Sequence, residues 1–153
     1  HNLCINGSRY LVIELPMMDV PEYTQGVIYN LRIKGITPII AHPERNRWIM
    51  ENPALLIPLI ELGTLIQVNS GSITGDFGRN IKRCVKFLVK HNMVHLVATD
   101  AHSADKRTPR IRKAAQTLKR WVDQQRAEKI LYETPQNILN NVMLQVEEPV
   151  ITQ

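Results

Sequence analysis

Apolar residues in this chain gather into short runs separated by stretches in which they recur at helical spacing. The runs are Tyr10-Leu-Val-Ile-Glu14, Thr37-Pro-Ile-Ile-Ala41, Thr64-Leu-Ile-Gln-Val68 and His95-Leu-Val-Ala-Thr99, and their length and bounding turn residues predict buried strands. Helices are predicted between them. After the first strand Asp19, with Glu22 three residues on, reads as a variant capping box; Val27, Ile28 and Leu31 form the apolar stripe and Gly35 ends the helix. After the second, a helix is expected from Asn52-Pro53 to Gly63 with Leu55, Leu56, Leu59 and Ile60 inward. Pro58 sits inside it, and because an interior proline costs about 3 kcal/mol the helix must kink or begin late. Ile81, Cys84, Val85, Leu88 and Val89 mark a third, amphipathic helix. A fourth is predicted to be capped at Thr108-Pro109 with Ile111, Ala114, Ala115, Leu118 and Val122 inward, a short fifth starts at Thr134-Pro135, and the tail after Val142 reads as loose.

Alternating strand and helix with fully apolar strands imply an α/β fold, a parallel sheet with helices packed outside. The 153 residues, 44% of them hydrophobic, contain no linker and are expected to form one domain. Four parallel strands make half of a barrel, an architecture that leaves an open edge. The formal charge of +5 is concentrated at helical spacing, on Arg79, Lys82, Arg83, Lys86 and Lys90 and on Arg110, Arg112, Lys113, Lys119 and Arg120. Such positions read as solvated outer faces, and with 5% aromatic residues there is no stacking platform for bases, so nucleic acid is not an expected partner. No charged-then-apolar leader and no apolar run of about 18 residues argues for secretion or membrane insertion, which makes the cytoplasm the expected compartment. Cys4 and Cys84 supply neither a disulfide framework nor zinc spacing, and a thiol phosphatase would need Arg six positions past a cysteine, where Tyr10 and Lys90 stand instead.

Two segments change the picture from fold to chemistry. Ala41-His-Pro-Glu-Arg-Asn46 and Thr99-Asp-Ala-His-Ser103 each begin where a predicted parallel strand ends, the place at which α/β sheets carry their active sites. With Glu14 ending the first strand and Asn69-Ser70 following the third, the polar residues converge on one rim. Glu14, His42, Asp100 and His102 are donors suited to a divalent metal, and Arg45 and Arg107, each a few residues past such a donor, suit a phosphate. Each also has an ordinary structural explanation: an ion pair for Glu14, a hydrogen-bonded core position for His42, pairing with Glu44 for Arg45 and with Asp105 for Arg107. His91 and His95, near a helix end and at a strand start, fall away from the rim. Gly75-Asp-Phe-Gly78 matches a kinase triplet in letters only and reads as a turn.

Tyr10–Glu14, Thr37–Asn46, Gln67–Gly75 and Thr99–His102 together resemble, in order, the polymerase-and-histidinol-phosphatase (PHP) superfamily, and most closely its bacterial protein-tyrosine phosphatases of capsule and exopolysaccharide biosynthesis. The resemblance implies a distorted (β/α)7 barrel of which residues 1–153 form the C-terminal part, the family's opening His-x-His strand being absent from them. It implies divalent metal ions, of the manganese type, held by Glu14, His42, Asp100 and His102. It assigns Arg45 and Arg107 to substrate phosphate and catalysis, with a metal-bound hydroxide attacking phosphotyrosine on a bacterial tyrosine autokinase. Two alternatives stay open: another PHP-type phosphoesterase, with a small phosphate or nucleic acid as substrate, and a non-catalytic piece that only associates. The expectation for the 153 residues alone is a self-associating chain with little or no turnover.

Overall fold

Strands β1 (Tyr10–Glu14), β2 (Thr37–Ala41), β3 (Leu65–Asn69) and β4 (Leu96–Ala98) form one parallel sheet in sequence order. The structure, a computed structural model, describes residues 3–102 and 111–150. Tyr10 pairs with Thr37, Ile39 with Leu65 and Gln67 with Leu96. Register with a side-chain period of two sorts the strands into faces. Ile40, Ile66, Val68 and Val97 point into the main core, while Tyr10, Ile39, Leu65 and Leu96 share the other face with Ile138. That second face is apolar only along its first half. Farther along the strands it carries Glu14, Gln67 and Asn69, so the polar end of the sheet lies where the strands run out.

The helices are α1 (Thr24–Ile33), α2 (Arg47–Glu51), α3 (Ile57–Glu61), α4 (Ser70–Thr74), α5 (Arg79–Lys90), α6 (Arg112–Leu118), α7 (Gln124–Glu128) and α8 (Thr134–Leu139). Asp19 does not cap α1, which begins five residues later with Tyr23 at its N-cap. The reason is a contact distant in sequence: the Asp19 carbonyl accepts from the Asn46 side chain at 2.7 Å, holding that segment in the loop. Of the expected stripe only Ile28 is fully buried, and Val27 faces solvent because Thr24 and Ile28 set the inward face. Pro58 divides the next helical stretch as anticipated, into a 3-10 turn at Pro53–Leu56 and α3, with the proline in the first turn of α3 where no amide is required. On α5 Cys84, Val85, Leu88 and Val89 are buried as their spacing predicts. The Thr108-Pro109 cap lies outside the described residues.

The tail after Val142 is tied down rather than loose. The Tyr10 hydroxyl donates to the Val142 carbonyl at 2.6 Å and accepts from the Leu144 amide at 3.1 Å. Glu147 pairs with Arg126 at 2.8 Å and with Lys129, and the Val150 amide reaches the His91 carbonyl at 2.9 Å. This strap closes the first half of the sheet's second face, leaving the carboxyl ends of the strands for the polar residues.

Candidate functional site

His42 follows β2 directly and takes a left-handed backbone, φ 38° and ψ 47°, which lets the chain turn into the short 3-10 helix Pro43–Arg45. Its amide donates to the Gln67 carbonyl at 2.7 Å, fixing the turn to β3. Asp100, two residues past β4, is left-handed as well, with φ 51°. A side-chain-bearing residue in this region costs roughly 1–3 kcal/mol unless its surroundings impose it, and such residues cluster at functional sites.

The loops are joined from below. Asn46 is buried; its side-chain amide donates to the carbonyls of Pro16 and Asp19 at 2.6 and 2.7 Å, and its oxygen caps α2 at Ile49. The loop after β1 is thereby held against the loop after β2. Glu44 points inward, away from Arg45, so the ordinary pairing that could have accounted for Arg45 does not form. One of its oxygens accepts from the Asn69 amide at 2.9 Å and from the Ser72 hydroxyl at 2.6 Å. Burial pushes the Glu44 carboxyl above its ordinary range, against those two hydrogen bonds, which act in the opposite direction. Its second oxygen has no hydrogen-bond partner among the described residues. Nothing in the letters Pro-Glu-Arg separates this buried carboxyl from a loop glutamate.

Above this support the candidate donors meet in pairs. His42 Nε2 lies 3.3 Å from Glu14 Oε1, and the His102 ring lies 3.5 Å from Asp100 Oδ1. Glu14 is 67% exposed at its side chain, so its place at the end of an apolar strand costs no burial of charge. Asp100 accepts from the Asn69 side chain at 3.1 Å and faces Arg45 across 3.8 Å. The Arg45 guanidinium also lies over the Phe77 ring, 5.0 Å from its centroid. Arg107 lies outside the described residues. Glu44, Asn46, Ser72 and Phe77 are the members of the site that pattern reading did not single out.

Two ligands side by side on a cation at about 2.1 Å stand about 3 Å apart, so the Glu14–His42 spacing fits a shared divalent ion. His102 Nδ1 is 2.7 Å from the Asp100 carbonyl; a hydrogen on Nδ1 donates there and leaves the Nε2 lone pair for a ligand. The donor set fits a divalent cation chemically. Among the described residues, however, no group of three or more His, Cys, Asp or Glu side chains closes into a cage. Cys84 offers no competing chemistry: burial, then the nearby Glu44, push its thiol up to about 12.

The tyrosine-protein phosphatase YwqE of Bacillus subtilis is 43% identical over 118 residues, covering 77% of this chain and 46% of that protein. The putative tyrosine-protein phosphatase CapC of Staphylococcus aureus is 47% identical over 103 residues, covering 67% and 40%. This chain thus spans about half the length of these relatives. The fold matches a chain from the crystal structures of YwqE from Bacillus subtilis and CpsB from Streptococcus pneumoniae, described as metal-dependent tyrosine phosphatases, with a TM-score of 0.93 and 36% identity, over 99% of this chain and 61% of that one. The family described as capsular polysaccharide synthesis, CpsB/CapC, matches residues 1–140, and the chain belongs to that family.

Proposed function

We propose that this chain supplies part of the active site of a metal-dependent protein-tyrosine phosphatase, acting on phosphotyrosine of a bacterial tyrosine kinase that governs capsule or exopolysaccharide synthesis. The observation that carries the reading is the meeting, at the carboxyl ends of parallel strands, of the Glu14–His42 pair with an Asp100 that faces Arg45. Glu14, His42, Asp100 and His102 would hold divalent cations, manganese in this reading. A cation bound there supplies Lewis-acid charge and acidifies a water for attack on phosphorus.

The remaining work falls to the chain's own groups. Arg45, 25% exposed at its side chain, reaches solvent while staying anchored on Phe77, and its planar fork matches two phosphoryl oxygens at any working pH. Held against a bound phosphoryl group, its charge would offset the negative charge that accumulates on the equatorial oxygens in the transition state. Arg107 is assigned the same task by the resemblance alone. Asn69 orients Asp100 through its side-chain amide, and Glu44 holds Asn69 in turn.

The test is hydrolysis of a phosphotyrosyl peptide by the full-length gene product. Turnover should vanish on exhaustive chelation, return with manganese and survive iodoacetamide. Activity that outlasts chelation but dies on alkylation would overturn the reading.

A further inference from the structure

Phe77 lies in the turn between α4 and α5, whose glycines, Gly75 at φ 94° and Gly78 at φ 101°, account for the chain reversal but not for an aromatic side chain. The reversal folds the Phe77 ring back onto α4. At Gly71 an added Cβ would stand 2.9 Å from Phe77 Cε2 and 3.2 Å from Cζ, closer than side chains pack. Gly71 is helical with an ordinary negative φ, so nothing in its backbone requires glycine. What requires it is the ring. The ring in turn carries the Arg45 guanidinium, whose carbon lies 5.0 Å from the centroid, inside the ~6 Å reach of a cation–π contact.

An arginine that must present both arms to a phosphoryl group loses the freedom of a long side chain when it binds. A flat aromatic platform removes much of that freedom beforehand, which is the usual gain from preorganisation. The Asp100 carboxylate, 3.8 Å from the guanidinium, does not do the same work, since it is also a candidate cation ligand.

We infer that Phe77 is a positioning residue: its ring holds the Arg45 guanidinium in place to grip a phosphoryl group, and Gly71 is glycine so that the ring can lie there. The inference rests on the reading of Arg45 as a phosphate ligand. It predicts that Phe77→Leu and Gly71→Ala weaken binding alike, although the first removes the ring and the second only displaces it.

The test uses the full-length protein, inorganic phosphate as the probe, titration calorimetry, and the Arg45 Nε–Hε resonance. Phe77→Leu and Gly71→Ala should each weaken phosphate by about fivefold, the scale of a partly desolvated cation–π contact, and Phe77→Tyr should restore it. In an Arg45→Ala background Phe77→Leu should change affinity no further. The Arg45 Nε–Hε signal should carry a ring-current shift in the wild type and in Phe77→Tyr that is lost in Phe77→Leu. If Arg45→Ala weakens phosphate while Phe77→Leu does not, or if Phe77→Tyr fails to restore it, the platform is overturned and the phosphate reading stands. If Arg45→Ala leaves phosphate affinity unchanged, the phosphate reading falls and takes this inference with it.

Discussion

His42 and Asp100 share an unusual property beyond their chemistry: each holds a positive φ within two residues of the end of a strand. At His42 the imidazole is kept at the expense of the backbone, because glycine would adopt φ 38° without strain. His42→Gly should therefore be about 1 kcal/mol more stable than His42→Ala in urea unfolding, while both lose manganese affinity in a metal titration. Equal stabilities would show that the turn is not strained. Arg45→Ala should part from both, leaving manganese bound but costing roughly 2–4 kcal/mol in kcat/KM, the scale of a lost transition-state donor. Retained metal in His42→Ala with metal lost in Arg45→Ala would reverse the two roles. Glu14, His42, Arg45, Asp100 and His102 were legible because polar residues just past apolar strands fall on a rim whatever the details. Glu44 was not. Its burial is decided by the Asn69 amide and the Ser72 hydroxyl, which are distant in sequence and adjacent only once β2 and β3 pair.

At the scale of elements, β2, β3 and α5 could be read from period alone, since burial on both faces or on one stripe leaves a mark on every residue, whereas β1, expected to be buried, is exposed at Val12 and Glu14. The start of α1 and the tail could not, because each is set by bonds between residues distant in sequence: Asn46 to the Asp19 carbonyl, and Tyr10 to Val142 and Leu144. Removing residues 142–153 should accordingly destabilise the fold by about 2–4 kcal/mol, uncovering Tyr10, Leu65 and Ile138 and leaving Arg126 without Glu147. An unchanged urea midpoint would mean that the strap is ornamental. The same region carries a pH dependence. His95 is buried beside Arg126 and accepts the Ile66 amide through Nδ1 at 2.9 Å, and burial first, then Arg126, hold its pKa down at about 3. The unfolded chain takes up a proton near pH 6.5 that the folded state refuses, so the stability tied to His95 is fully present above pH 6.5 and is lost as pH falls towards 3. Between pH 7 and 5 this should remove roughly 2 kcal/mol. His95→Gln, which keeps an acceptor for the Ile66 amide, should flatten that slope in urea titrations; an identical slope would place the proton uptake elsewhere.

For the whole molecule the open question is what lies against β1. Among the described residues its outer edge has no strand beside it, and Val12, on the same face as Glu14, is 45% exposed. Met17, Met18 and Trp48 add further exposed apolar surface. An unprotected parallel edge invites pairing, whereas a net charge of +5 on 153 residues opposes the approach of a second copy. The balance between them depends on salt. The edge contact is short-ranged and insensitive to ionic strength, but the repulsion acts over a Debye length that shrinks from about 14 Å at 50 mM to about 4 Å at 500 mM. The 153-residue chain should therefore self-associate with rising concentration, and more strongly at 500 mM than at 50 mM salt. Val12→Lys, which sets a further cation on the exposed face beside that edge, should weaken the association, and more at 50 mM than at 500 mM salt. Light scattering decides it. A chain that stays monomeric at every salt concentration, or a Val12→Lys variant that associates as the wild type does, would show that the edge of β1 is already protected and that self-association does not run through it.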